Sequence, residues 1–235
     1  MCRRCSSGAW QPRTTKAYRA GTRLVATGPL FAHLDLPVPP EVERFLDGSR
    51  PTALVVLSSS TPQMLRQATA RVRAAGVRVI VGATLHEHGR HDDPDIVVAG
   101  LLPNHLVMPR VDVAVTMGGQ GTVQTAMASG TPLVGIPLHP EQELNVDLAA
   151  RHGAALAVAP RHVDTPRLTE AVRRVLADRS YAAGAAKVRG WYAGRDGAAE
   201  AASAIRRWLA AGAPRSTGTA AVQSAVMRLS LIALP

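Results

Sequence analysis

The sequence predicts an α/β fold, a doubly wound parallel sheet with helices on both faces. Two observations carry that expectation. Apolar runs recur along the middle of the chain without the alternation of a half-exposed strand, as strands covered on both faces require. Most of them are separated by helix-length segments that open near proline and stop at glycine, which is the rhythm of right-handed crossovers between parallel strands.

The elements follow in order. Residues 1–22 show no periodicity, and LVATGPLF and LDLPVPPEVERFLDG read as an extended, proline-punctuated stretch with a short helix near Glu41–Leu46. TALVVLSS (52–59) is the first strand. PQMLRQATARVRAAG (62–76) has helical spacing, with Pro62 suited to the first turn and Gly76 to the stop. VRVIVGA (77–83) and IVVAG (96–100) are strands on either side of a polar loop, and NHLVMP is a short helix. VDVAVT (111–116) is a strand, Gly121–Ser129 a helix stopped by Gly130, and PLVGIP (132–137) a strand. A helix over Glu141–His152 ends at Gly153, AALAV (154–158) is a short strand, and helices over Thr165–Leu176, Tyr181–Arg189 and Gly197–Ala211 close the pattern. The expected organisation is a disordered basic segment over 1–25, a Rossmann-like domain over 26–211 and a tail over 212–235.

Composition narrows the function classes. The net charge of +10 suggests nucleic acid until it is located. Residues 1–24 hold six Lys/Arg and no acid, and 213–235 hold two Arg and no acid. The body between them has 19 basic and 17 acidic residues, so it is near neutral. A nucleic-acid binder concentrates charge on a folded face, and aromatic residues make up only 3% of the chain, too few for a base-stacking surface. No nucleic-acid partner is expected. Cys2 and Cys5 are the only cysteines, which gives no disulfide framework and suits a reducing, cytoplasmic setting. No run of about 18 apolar residues offers a membrane span. HEHGRHDD places His86, His88, His91 and Asp92 together, but the composition is that of a surface loop and no metal site is expected.

The chemistry concentrates in VDVAVTMGGQGTVQTAMASGTPLVGIPLHPEQELN, Val111 to Asn145. MGGQGT lies between a strand and a helix. Gly118 and Gly119 leave the backbone bare, and Gly121 and Thr122 open the helix, whose unpaired N–H groups and positive dipole end favour an anion such as phosphate. The same glycines also suit a tight turn with no ligand. No Lys follows as in a Walker loop, and the spacing is not G-x-G-x-x-G. The next strand end separates the two readings. Glu141 and Gln142 open a helix there. A carboxylate at that place serves as a dipole partner, but the pair also suits sugar hydroxyls, since Glu accepts from two of them and Gln both donates and accepts. An anion site beside a hydroxyl-reading pair describes a nucleotide-diphosphate sugar.

On these residues the chain resembles the C-terminal, donor-binding half of a GT-B glycosyltransferase of the class acting on lipids, macrolides and small aglycones. That family carries H-G-G-x-G-T, E-A three residues after the Thr, G-x-P, and P-x-x-x-(D/E)-Q-x-x-N. Here stand MGGQGT, Thr125-Ala126, GTP at 130–132 and PLHPEQELN at 137–145, with the acid–Gln pair beginning 24 positions after the first motif residue, as in the family. GPL (28–30), RPTALVVLSSS, GLLPNHLVMPRVDV and DGAAEAASAIRRWL also resemble it, so the likeness covers about 26–210. It implies that the backbone of Gly118, Gly119, Gly121 and Thr122 holds the diphosphate, with hydroxyls from Ser59 and Ser60. Glu141 and Gln142 read the sugar, and Leu101, Leu102, Pro103 and Asn104, with Thr125, face the base and ribose. The donor is a UDP- or dTDP-sugar, no further cofactor is implied, and a hexose passes with inversion to a hydroxyl of a small acceptor.

Three departures stand out. Met117 replaces a His that donates to the diphosphate, where a lost hydrogen bond to a charged group costs roughly 1.5–3 kcal/mol. Thr125 replaces a Glu on the ribose, and Leu101 stands where relatives stack an aromatic ring. The family's catalytic base belongs to an N-terminal acceptor half, so the catalytic residue is not identified here, and the chain reads as a truncated enzyme, a fragment, or one subunit of a two-chain enzyme whose acceptor domain is a separate partner chain. The alternative expectation is a non-catalytic nucleotide-sugar-binding partner or an inactive remnant, with a sugar-nucleotide epimerase on the same fold as a third. His139 is expected to shape the pocket, His105 to lie near it, and Trp191 and Trp208 to anchor the core.

Overall fold

The computed structural model describes residues 25, 27–31, 33–58, 60–83 and 91–211. The expected disordered segment 1–25 (Val25 excepted), the tail 212–235, both cysteines, Ser59, His86 and His88 lie outside the described residues. The chain divides into two compact units, Phe31–Trp191 and a smaller one formed from Met1–Leu30 with Tyr192–Pro235.

The larger unit holds six strands, β1 (Thr52–Val56), β2 (Arg78–Gly82), β3 (Ile96–Ala99), β4 (Val113–Thr116), β5 (Leu133–Gly135) and β6 (Ala155–Ala157), all parallel in the order β3-β2-β1-β4-β5-β6. This is the doubly wound sheet the sequence predicts. Chain order runs outward in both directions from the β1–β4 pair, and a crevice for ligands lies at the carboxyl ends of strands at such a switch point. β4 and β5 are direct neighbours, pairing Thr116 with Gly135. The two motif-bearing strand ends therefore sit side by side.

The helices are α1 (Pro40–Glu43), α2 (Pro62–Arg73), α3 (Asn104–Val107), α4 (Gln120–Ser129), α5 (Pro140–Arg151), α6 (Pro166–Ala177) and α7 (Arg179–Tyr192), with 3-10 turns at Met108–Arg110 and Pro160–His162. Their limits follow local chemistry. Thr61 caps α2, accepting from the Met64 N–H at 3.2 Å ahead of Pro62, and α2 gives way to Gly76 at φ +90°. α4 runs straight into Gly130 at φ +75°. Every residue of β1, β2 and β4 is buried. One face of the sheet (Ala53, Val55, Val79, Val81, Val113, Val115, Val134) packs under Leu65, Ala68 and Val72 of α2 and Leu168, Val172 and Val175 of α6. Each such aliphatic side chain contributes about 1.5–3 kcal/mol by leaving water.

In the smaller unit, α8 (Gly197–Ala210) is capped by Asp196, whose carboxylate accepts from the Ala199 N–H at 3.0 Å. Glu200 accepts from the Gly28 N–H at 3.1 Å and pairs with Arg195, so the GPL segment and the start of α8 are held together. A side chain at Gly197 would collide with the Gly28 carbonyl. Trp208 corrects an expectation. It is 55% exposed beside exposed Ile205 and Leu209 and is no core anchor, because it falls on the outward side of α8. Trp191 is half-buried, its ring meeting His152 edge-on at 4.7 Å.

Candidate functional site

Strand β4 ends at Thr116, whose hydroxyl accepts from the Gly118 N–H at 3.2 Å. Met117 is 3% exposed and belongs to the apolar cluster beneath α2 and α6. Its side chain fills the core. Gly118 then turns the chain at φ +87°, a region that L side chains rarely adopt. A Cβ there would lie 2.6 Å from Val146 Cγ2 and 2.8 Å from the Gln142 carbonyl. Gly135 on β5 would likewise collide with Val146. These two glycines let α5 lie directly on the β4–α4 turn, so at Gly118 the tight-turn reading applies.

Gly119 and Gly121 differ. Each would carry a Cβ into open space, and Gly119 has an ordinary φ of −60°. Gly119 is the N-cap of α4, which starts at Gln120, one residue earlier than expected. No side chain caps it among the described residues, and the first bond closing the helix runs from the Val123 N–H to the Gly119 carbonyl at 3.0 Å. The N–H groups of Gln120, Gly121 and Thr122 are therefore the helix's own orphan donors, at its positive dipole end. The arrangement suits an anion with several oxygens.

On the neighbouring strand end, Pro137, Leu138 and His139 lead into α5, with exposed His139 as N-cap and Pro140 in the first turn. Glu141 is exposed, and its Oε1 accepts from Asn145 Nδ2 at 2.5 Å. The same amide nitrogen donates to the Gly118 carbonyl at 2.9 Å. Asn145 thus ties the carboxylate to the glycine turn, a positioning role the sequence motif shows only as a spacing. Gln142 is 5% exposed, and its Oε1 accepts from the Leu138 N–H at 2.8 Å, closing the loop between β5 and α5.

A cleft of about 170 Å³ adjoins the start of α4, lined by His33, Leu34, Leu102, Asn104, His105, Gly121, Thr122 and Thr125. Leu102, Asn104 and Thr125 of the expected base and ribose set come together here. Pro103 is buried as the N-cap of α3, and Leu101 is 49% exposed and not on the cleft wall. The Thr125 hydroxyl donates to the Gly121 carbonyl at 2.8 Å within its own helix. The Ser60 hydroxyl donates within its turn, to the Leu57 carbonyl at 2.7 Å. Two residues not assigned to the base by sequence complete the cleft. His33 and His105 stack with ring centroids 4.3 Å apart and planes at 18°, and Phe31 stacks on His33 at 5.3 Å. Burial, and then the neighbouring His33, push the His105 pKa below its usual value, which favours the neutral ring. No helix among the described residues is long and apolar enough to cross a membrane.

A doubly wound sheet with an uncapped helix N-terminus at its strand ends is an architecture on which many nucleotide-binding domains are built. Comparison with known proteins narrows it. Residues 67–207, more than half of the chain, match the family described as erythromycin biosynthesis protein CIII-like, C-terminal domain, and the chain belongs to that family. It is the donor-binding half of a GT-B glycosyltransferase fold. Among curated proteins it is 32% identical over 168 residues to 4'-demethylrebeccamycin synthase of Lentzea aerocolonigenes, covering 68% of this chain and 39% of the relative. It is 30% identical over 139 residues to a PGL/p-HBAD biosynthesis glycosyltransferase of Mycobacterium tuberculosis, covering 59% and 32%. Among solved structures, glycosyltransferase VinC in complex with dTDP aligns with a TM-score of 0.67 at 21% identity, over 83% of this chain and 50% of VinC. The Streptomyces sp. SF2575 glycosyltransferase SsfS6, complexed with thymidine diphosphate, aligns at 0.61 and 25%, over 81% and 50%. The chain spans about a third of the length of the curated relatives and about half that of the solved ones.

Proposed function

We propose that this chain binds the donor for an inverting hexosyltransferase, holding a UDP- or dTDP-sugar in the cytoplasm while a hydroxyl of a small acceptor attacks the anomeric carbon. The observation that carries the reading is the open, uncapped N-terminus of α4 at Gly119–Thr122, set beside the Glu141 carboxylate that Asn145 ties to the same turn. The diphosphate sits on the N–H groups of Gln120, Gly121 and Thr122. Glu141 accepts from sugar hydroxyls through its carboxylate, and Gln142 offers its amide beside it. The base lies toward Leu102 and Asn104. As the bond from the anomeric carbon to the diphosphate oxygen breaks, charge grows on that oxygen. Fixed N–H dipoles stabilise it without reorganising. The proton of the acceptor hydroxyl goes to a general base on an acceptor-binding half, in a companion segment or a separate chain. The bound dTDP of VinC and SsfS6 supports the choice of donor.

The test is a calorimetric titration of the purified chain with UDP, dTDP and their glucose derivatives. Saturable 1:1 binding is expected. A folded chain that binds none of them overturns the reading and leaves a non-binding remnant.

A further inference from the structure

We infer that the stacked imidazoles of His33 and His105 are the platform on which the nucleotide base rests, an inference that rests on the nucleotide-sugar reading above. The cleft they line is shared with Gly121 and Thr122, two of the three residues whose N–H groups face the proposed diphosphate. A nucleotide anchored there has this cleft within reach for its ribose and base. Bases gain affinity mainly from π-faces. Among the described residues, no Phe, Tyr or Trp lines the cleft, and Leu101 is not on its wall. Its rings are the two imidazoles, parallel to within 18° at 4.3 Å, with Phe31 extending the stack behind His33. Rings that already hold one another in place lose little freedom when a third is added, so their stacking is spent on the ligand rather than on ordering the protein. Beside them, the Oδ1 of Asn104 is buried with no hydrogen-bond partner among the described residues.

The experiment titrates wild type, His33→Ala, His105→Ala and His105→Phe with dTDP, UDP and inorganic pyrophosphate at pH 8. His33 is exposed and His105 half-buried, so the variants keep the fold, which circular dichroism verifies. Each alanine is expected to raise the Kd for both nucleotides about tenfold and leave pyrophosphate binding unchanged, with His105→Phe within about threefold of wild type. Wild-type binding of dTDP with both alanine variants equal to it overturns the platform and leaves the donor reading standing. Equal losses for dTDP and pyrophosphate also overturn it, because they place the effect on the anion site. A folded wild type that binds no nucleotide overturns the donor reading itself, and the platform with it.

Discussion

Replacing Gly119 by Asp separates the anion site from the fold. A Cβ at Gly119 meets open space, and its φ of −60° and ψ of 140° suit any L residue. Asp is also among the preferred N-cap residues and favours the positive end of the helix, so the variant gains a few tenths of a kcal/mol over Gly. Its thermal midpoint is expected at or slightly above that of wild type. Binding changes in the opposite direction, for two reasons. The new carboxylate accepts from the Gly121 or Thr122 N–H, the same donors the diphosphate requires. It also stands about 5 Å from the bound phosphates, where at an effective dielectric near 20 each pair of unit charges repels by about 3 kcal/mol. One such pair raises the Kd at least ~100-fold. Calorimetry with dTDP and a thermal melt of the same sample read both quantities. Gly119→Ala, which adds bulk without charge, is expected to bind near the wild-type level. A Gly119→Asp protein that melts like wild type and binds dTDP within about threefold of it would refute the placement of the diphosphate on α4.

Four further outcomes follow. Gly118→Ala places a Cβ at φ +87° against Val146 and the Gln142 carbonyl, and is expected to cost about 2–5 kcal/mol in urea unfolding through backbone strain and overpacking. Glu141→Ala is expected to leave dTDP binding unchanged and to weaken dTDP-glucose about tenfold, read by parallel titrations. His152 is pushed below its usual pKa by burial and then by Lys187, and its Nε2 is buried without a partner among the described residues. The folded state therefore binds fewer protons there than the unfolded chain, and its stabilising contribution is lost as pH falls from 6.5 through the folded-state value. Melting midpoints between pH 7.5 and 5.5 are expected to drop less in His152→Phe, although His105 and His162 titrate in the same direction. Met117→His, which restores the residue found in related motifs, is expected to destabilise by about 1–3 kcal/mol without tightening dTDP, because that side chain lies in the core.

The alternation of apolar runs and helices was enough to read the sheet, since a strand buried on both faces leaves an unbroken apolar run. The order of motifs was enough to place Gly119 and Glu141 on adjacent strand ends. What was not legible depends on distance in space. The sequence does not show that Gly118 and Gly119, adjacent and alike, serve different masters. Only Val146, reaching back from α5, makes the first a packing requirement and leaves the second open. Likewise Met117 reads as a lost donor until its side chain is found among Val115 and Val134 in the core cluster. The His33–His105 stack joins residues 72 positions apart in sequence, with no motif between them to announce it. Trp208 was misread because an apolar position on a helix shows that a face exists, and not what covers it.

Two of the histidines near the proposed site, His105 and His139, lack the arrangement of a general base. A general base for a sugar acceptor needs an imidazole held in one tautomer, most simply by a carboxylate on its far nitrogen. His105 faces another imidazole, and burial already lowers its affinity for a proton. His139 is the exposed N-cap of α5. Neither pairs with a carboxylate among the described residues. Glu141 is engaged by Asn145. Free helix N–H groups thus stand beside a carboxylate held by Asn145, which is the arrangement that the proposed donor site requires.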